Sequence, residues 1–443
     1  MVSDALHLWM NGEPVARWQL ARGAHTLAYD AAWLASPRRR ALSLSLPITP
    51  GNELRGPAVA HWFDNLLPDN EAIRARLARR FGLGGTEPFA LLGAIGRDCV
   101  GAVQLLPEDE TPAGFDRIDA DPLTDTDVAA LLAAVPSDGA PALRDDEPFR
   151  ISIAGAQEKT ALLRLDGRWH LPRGATPTTH ILKLPLGLVG GSRRVDLSDS
   201  VQNEWLCLRL LGALGLPVAT TEMARFDGQP VLVVERFDRA FADGGYWIAR
   251  LPQEDFCQAL GQPPARKYEA DGGPGMAACL RLLAASDEAP RDRLVFQLAQ
   301  LAFWLLAATD GHAKNWSVFL GPGDRYWLTP IYDVISMWPY FGDAPNRFRW
   351  HQAGLAMALR SKNPHWLLAR IEARHWHGLA MKHGGLPVWE AMLGLVDQVE
   401  PALAAVEADL PADFPPRTWE AIAAGVRSQV ARFRAGVVAP KAL

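Results

Sequence analysis

The alternation of apolar and polar positions opens with a hairpin. His7-Leu-Trp-Met and Pro14-Val-Ala-Arg-Trp flank Asn11-Gly12, and Asn-Gly between two such runs is a strong short-range hairpin signal. Residues 58–83 read as helical and residues 99–106, Cys-Val-Gly-Ala-Val-Gln-Leu-Leu, as a strand. The first 106 residues therefore form a small α+β unit. In residues 107–147 acidic side chains far outnumber basic ones amid Pro and Gly, which reads as a solvated acidic connector interrupted by a short helix at 125–134. Strand signals resume at Phe149, with Arg150-Ile-Ser-Ile leading into the small-residue turn Ala154-Gly155-Ala156. Thr160-Ala-Leu-Leu-Arg-Leu, Arg168-Trp-His-Leu and residues 179–184 follow as strands, then a helix over 200–214 closed by Gly215. Two more strands flank Asp227-Gly228. Residues 148–240 are thus β-rich, and residues 241–443 mainly helical. The most apolar stretch, 294–309, is shorter than the roughly 20 residues a bilayer span needs and contains Gln297 and Gln300. It reads as a buried core helix, and no membrane role is expected.

Charge narrows the function classes. The formal net charge is −5, and a protein gripping DNA by itself would normally carry a basic excess or stripe, so DNA contact is expected through a partner. Cys99, Cys207, Cys257 and Cys279 are far apart with no C-x-x-C pairing, and no charged-then-apolar leader opens the chain. Both point to a reducing cytoplasm and free buried thiols. Asp125 and Asp127 lack the Gly and distal Glu of a calcium loop. His375, His377 and His383 read as ordinary surface histidines, because helical positions two apart point to different faces.

The candidate chemistry begins at Asp310-Gly-His-Ala-Lys-Asn315, directly after the apolar helix. In protein kinases a catalytic-loop Asp followed five residues later by Asn orients the nucleophile and holds a metal; the spacing is met, although Thr309 precedes Asp310 where an arginine would stand. The competing reading is a turn Asp and a loop Asn. Two strand-like runs joined by Gly321-Pro-Gly-Asp separate Asn315 from Asp333. A hairpin returns its ends to about 5 Å, so the two oxygen donors should meet and suit magnesium beside ATP phosphates. Asp333 stands in Tyr-Asp-Val, not Asp-Phe-Gly. Lys183 lies mid-strand, as an edge charge or as the lysine that a kinase sets against the α- and β-phosphates; Glu204 on the next helix is its candidate partner or a solvent-facing residue. The loop Ala154, Gly155, Ala156, Gln157, Glu158, Lys159 precedes that strand, where a phosphate-covering hairpin belongs. Glu235-Arg236-Phe237 closes the β-rich half where a hinge would meet adenine.

With these residues in view the chain resembles the HipA family. Ser152-Ile-Ala-Gly-Ala-Gln-Glu-Lys-Thr-Ala-Leu-Leu, Pro177-Thr-Thr-His-Ile-Leu-Lys-Leu-Pro, Arg250-Leu-Pro-Gln-Glu-Asp, Lys267-Tyr-Glu, Asp271-Gly-Gly-Pro-Gly and Ala308-Thr-Asp-Gly-His-Ala-Lys-Asn carry the likeness, with Phe63-Asp-Asn-Leu-Leu-Pro-Asp and Ile95-Gly-Arg-Asp earlier. The resemblance implies an α+β, bilobal protein-kinase-like fold related to phosphoinositide kinases, with an extra N-terminal α+β subdomain and a mostly helical C-terminal lobe. It implies a serine/threonine kinase toxin in which Asp310 is the base, Asn315 and Asp333 are magnesium ligands, and Lys183, the 154–159 loop, His312 and Lys314 contact ATP. It further implies an adenine hinge at Glu235 to Phe237 and autophosphorylation at Ser152. The implied partners are a HipB-like helix-turn-helix antitoxin, operator DNA mainly through that antitoxin, and a tRNA synthetase substrate, glutamyl-tRNA synthetase first. Competing readings are a silent pseudokinase serving as a corepressor scaffold and a small-molecule or lipid kinase.

Overall fold

The computed structural model describes residues 5–136 and 151–438. Two compact units emerge: Met1–Leu184 with Ala224–Arg266 and Ser317–Thr329, and Pro185–Met223 with Lys267–Trp316 and Pro330–Leu443.

In the first unit, Ala5–Met10 and Glu13–Ala21 pair antiparallel through the expected hairpin. Asn11 (φ 47°) and Gly12 (φ 82°) both adopt the left-handed conformation that a two-residue hairpin loop requires. The sheet is completed by Ala24–Tyr29, Glu53–Arg55 and, against the first strand, Val103–Pro107. Its core is aromatic: Trp18 stacks on Phe63 at 3.7 Å between ring centroids, and Trp62 meets Phe63 edge-on. The helix expected over 58–83 is two helices, Pro57–Asp64 and Glu71–Arg80. The second begins at the Asn70 side-chain cap, just after Pro68, which disfavours helical backbone in the residue before it. The strand expected from Cys99 starts only at Val103, because Gly101 turns (φ 76°) and passes so close to Gln253 that a Cβ would sit 2.8 Å from its carbonyl oxygen.

A second sheet runs in the order Thr221–Phe226, Gln229–Glu235, His180–Lys183, Lys159–Leu165, Arg168–Pro172, Ala120–Pro122. The last strand corrects the connector reading. Ala120–Pro122 pairs with Arg168–Pro172, and the helix Asp125–Ala134 inserts Val128, Leu131 and Leu132 into the core with Leu162, Leu182 and Val231. Asp127 closes a capping box with Thr124, and Asp125 stands in the same first turn, where the helix dipole favours a carboxylate. Residues 137–147, and the strand start at Phe149 and Arg150, lie outside the described residues. Over residues 151–158 there is no regular strand. The segment makes two isolated parallel bridges, Asp98 with Ile151 and Pro68 with Gly155.

The second unit is built on the helix Ala289–Leu306, whose Gln297 and Gln300 are buried. Gln297 Nε2 donates to the Arg293 carbonyl at 3.1 Å and Gln300 Nε2 to the Met357 sulfur at 3.8 Å, so both side-chain amides have an acceptor in apolar surroundings. Around it stand Ser200–Ala213, Ala373–His383, Leu386–Asp397, Val399–Ala408 and Pro416–Val438. His375 is not a surface residue as expected. It is buried, its ring nitrogen accepts the Glu372 N–H at 3.0 Å, and it stacks on His365 at 3.9 Å. All four cysteines are buried and free. Among the described residues, no helix is long and apolar enough to cross a membrane.

Candidate active site

The core helix of the second unit ends at Ala307 in left-handed conformation (φ 51°), and the chain turns into Asp310 to Asn315. Gly311 passes so close to Phe303 that a Cβ would meet its ring at 2.6 Å. Asp310 stays exposed, while His312, Lys314 and Asn315 are buried. The turn is held by its own backbone: His312 N–H donates to the Asp310 carbonyl (2.8 Å) and Asn315 N–H to the His312 carbonyl (3.0 Å).

Asn315 and Asp333 are brought together as expected. Asn315 Nδ2 donates to the Asp310 carbonyl at 2.7 Å and lies 3.5 Å from the Asp333 carbonyl oxygen. The Tyr332 hydroxyl donates to the Lys314 carbonyl (3.0 Å), tying the two segments directly. Ile331 exchanges backbone hydrogen bonds with Pro217 and Ala219, both 2.9 Å, which fixes the approach to Asp333. Asp333 itself is left-handed (φ 60°), a conformation uncommon outside glycine but several-fold enriched in Asp and Asn, and a recurrent feature of functional sites. Beyond it, fully buried Asn203 clasps Ser336 by two 2.8 Å bonds: its Nδ2 donates to the Ser336 carbonyl, and its Oδ1 accepts the Ser336 N–H. Glu204, next on that helix, is buried rather than facing solvent.

In the first unit Lys183 is buried and stands directly opposite Lys159 across the antiparallel pair. Gly155 (φ 108°) brings the loop so near that a Cβ would sit 2.6 Å from the Lys159 ammonium. The loop is pinned at its other residues. Gln157 Nε2 donates to the Leu184 carbonyl (2.5 Å), Leu184 N–H to the Glu158 carbonyl (3.0 Å), and Glu158 pairs with Arg76 at 2.5 Å. Ala154 and Ala156 flank Gly155, whose carbonyl accepts the Asp69 N–H at 3.1 Å. Ser152 is fully buried, its hydroxyl donating to the Leu66 carbonyl (2.8 Å) and its N–H to the Asp98 carbonyl (3.0 Å).

Where the hinge was expected, Arg236 N–H donates to the Thr179 carbonyl and its own carbonyl accepts the Arg239 N–H. Its backbone is therefore engaged within the fold. The Arg236 side chain enters a buried ionic cluster that the sequence reading missed. Asp98 and Asp238 face Arg236, Arg239 and Arg250, all with side chains at most 7% exposed. Gly101 N–H donates to Asp238 at 2.7 Å. Its members stood in Ile95-Gly-Arg-Asp98, Glu235-Arg236-Phe237 and Arg250-Leu-Pro-Gln-Glu-Asp, legible as motifs but not as a cluster.

Three comparisons bear on this geometry. The model of the HipA-like C-terminal domain matches residues 151–407 and that of the HipA N-terminal domain residues 6–106. The chain is 35% identical over 424 residues to a putative kinase of Sinorhizobium fredii, covering 92% of this chain and 93% of that one. It is 29% identical over 313 residues to the serine/threonine-protein kinase toxin HipA of Shewanella oneidensis, 66% and 67% of the two chains. A solved complex of Shewanella oneidensis HipA with HipB and operator DNA contains a chain of the same fold, with a TM-score of 0.80, 22% identity and 98% of each chain covered. The class so defined is the protein-kinase-like α+β fold with an N-terminal α+β subdomain and a mostly helical C-terminal part. The chain belongs to the HipA family, and its enzyme class is that of the protein serine/threonine kinases.

Proposed function

We propose that the chain transfers the γ-phosphate of ATP to a serine or threonine hydroxyl of a protein, with Asp310 as the base that orients the hydroxyl. The observation that carries this is the meeting of Asp310, Asn315 and Asp333 in one loop cluster. Because Asn315 spends its amide N–H on the Asp310 carbonyl, its amide oxygen is turned to serve as a ligand. An amide oxygen and a carboxylate are hard donors that suit magnesium. Asn315 and Asp333 would hold the ion, which when bound supplies charge neutralisation on the transferred phosphoryl group. Lys183, Lys159 and the 154–159 loop would take the phosphates, with Glu204 orienting Lys183, His312 and Lys314 completing the nucleotide contacts, and Glu235 and Phe237 reading adenine.

The same reading makes the protein the toxin of a toxin–antitoxin pair acting in the cytoplasm. A HipB-like antitoxin would restrain it and bring operator DNA for co-repression, and a tRNA synthetase, glutamyl-tRNA synthetase first, would be its target in translation arrest and persistence. The Shewanella oneidensis complex of HipA with HipB and operator DNA supports the partners; the net charge of −5 supports borrowed DNA contact. Residues 1–106, 148–240 and 241–443 would be its working parts. Autophosphorylation at Ser152 would switch it off. Support for this is the burial of the Ser152 hydroxyl against Leu66, a position that cannot accommodate the added −1.5 to −2 charges (roughly, at neutral pH) of a phosphate. The test is transfer of labelled γ-phosphate in cell lysate with and without magnesium. Asp310→Asn is expected to abolish transfer while ATP still binds; near-unaltered labelling by that variant would remove Asp310 from the reaction.

A further inference from the structure

We propose that Tyr268 is the positioning residue of the transfer site, its phenol holding one oxygen of the Asp310 carboxylate so that the other faces the substrate hydroxyl. This rests on the reading of Asp310 as the base. Asp310 has a side chain 60% exposed; an exposed carboxylate with no tether rotates among staggered rotamers, and a base must sit within hydrogen-bond reach of the proton it takes. The Tyr268 hydroxyl donates to Asp310 Oδ1. The ring nitrogen Nε2 of buried His312 lies 3.9 Å from the same oxygen, and the two rings meet edge to face at 4.8 Å. One oxygen is thus held by the phenol, with the His312 ring beside it, and Oδ2 is the one left to the substrate.

Tyr268 does not reach Asp310 by chance of a surface rotamer, because its segment is clasped on three sides. The Lys267 carbonyl accepts the Ala313 N–H from the Asp310 turn at 3.1 Å. The Tyr268 carbonyl accepts the N–H groups of Asp271 and Gly273, at 3.1 and 3.0 Å. Glu269, the next residue, accepts the Ala358 N–H at 2.7 Å and pairs with Arg360. Gly275 makes room for that carboxylate, since a Cβ there would lie 2.4 Å from it. The motifs Lys267-Tyr-Glu and Asp271-Gly-Gly-Pro-Gly, which the nucleotide reading left without a task, become one device that presents a phenol to Asp310.

The experiment compares the full chain, Tyr268→Phe, Asp310→Asn and the double variant. Initial rates of γ-phosphate transfer from Mg-ATP into the protein of a cell lysate are measured across ATP concentrations, and ATP affinity is measured by calorimetry. Tyr268→Phe keeps the ring against His312 and removes only the hydroxyl. Its maximal rate is expected to fall between about tenfold and a hundredfold, the scale of a misplaced reacting group, with KM for ATP and ATP affinity unchanged. In the Asp310→Asn background the same change should have no further effect. Unaltered ATP affinity also reports that the variant is folded. An unaltered maximal rate for Tyr268→Phe beside an inactive Asp310→Asn overturns the proposal alone. A raised KM with an unaltered maximal rate also overturns it, making Tyr268 a nucleotide contact. No labelling by the unaltered chain, or full labelling by Asp310→Asn, removes the base reading and the proposal with it.

Discussion

Replacing Asp98 by Asn should destabilise the first unit by about 3–5 kcal/mol, the cost of breaking a buried ion pair by removing one partner. Asp98 accepts five hydrogen bonds: Oδ1 from Arg239 (2.9 Å) and Arg250 (3.2 Å), Oδ2 from the Thr178 N–H (3.1 Å), the Thr178 hydroxyl (2.6 Å) and Arg236 (3.3 Å). An amide would turn an NH₂ toward donors on one side and leave three buried guanidiniums facing Asp238 alone. The pH dependence has a definite sign. Burial by itself pushes the Asp98 carboxyl up, but Arg239, Arg236, Arg250 and the Thr178 hydroxyl overcome this and hold it well below the usual carboxylate range. A carboxyl depressed in the folded state adds stability that is complete above its unfolded value of about 3.9 and lost as pH falls below it. Asp238, held down to about 2 by Arg236 and Arg239 against its own burial, loses its share in the same window. The assay is urea denaturation followed by tryptophan fluorescence between pH 7 and pH 2. The difference between the unaltered chain and Asp98→Asn should be largest at neutral pH and shrink below about pH 4. A difference that is constant with pH, or below about 0.5 kcal/mol at pH 7 as for an ordinary surface substitution, would refute the account.

Other outcomes follow from the same geometry. Glu254, fully buried, is pushed by burial up to about 8 against the hydrogen bonds it accepts from Leu44 and Trp62; its contribution is complete below the unfolded value of about 4.3 and lost as pH rises through 8, so Glu254→Gln should flatten a decline in urea midpoint between pH 5 and pH 8, and an unchanged slope would count against it. Gly155→Ala forces an L side chain into φ 108° and displaces the Lys159 ammonium; it should cost about 1–3 kcal/mol and weaken ATP binding several-fold in a calorimetric titration. Asp333→Asn should raise the magnesium concentration needed for half-maximal transfer, since it removes an anionic hard ligand; an ATP titration at several magnesium concentrations checks this.

Local chemistry made much of the molecule legible in advance. Asn11-Gly12 can form a tight hairpin wherever the chain places it, because the required backbone conformation belongs to those two residues. The apolar helix ending before Asp310, and the return of Asp333 to Asn315 across a hairpin, follow from periodicity and strand spacing. What depends on partners far along the chain was not legible. The acidic stretch looks solvated by composition, yet Val128, Leu131 and Leu132 reach a sheet core whose other residues lie about thirty to a hundred positions later. Asp98 was a motif letter until folding set Arg236, Arg239 and Arg250, some 140 to 150 residues away, around it. Ser152 could have bonded locally, but its hydroxyl meets Leu66, 86 residues earlier. Tyr268 carries no signal of its own, because a phenol becomes a positioning group only where a fold delivers it to a carboxylate 42 residues on. Sequence alone determined the elements and the residues able to do chemistry; only tertiary structure decided which charges are buried together, because burial and partnership are properties of three-dimensional neighbours.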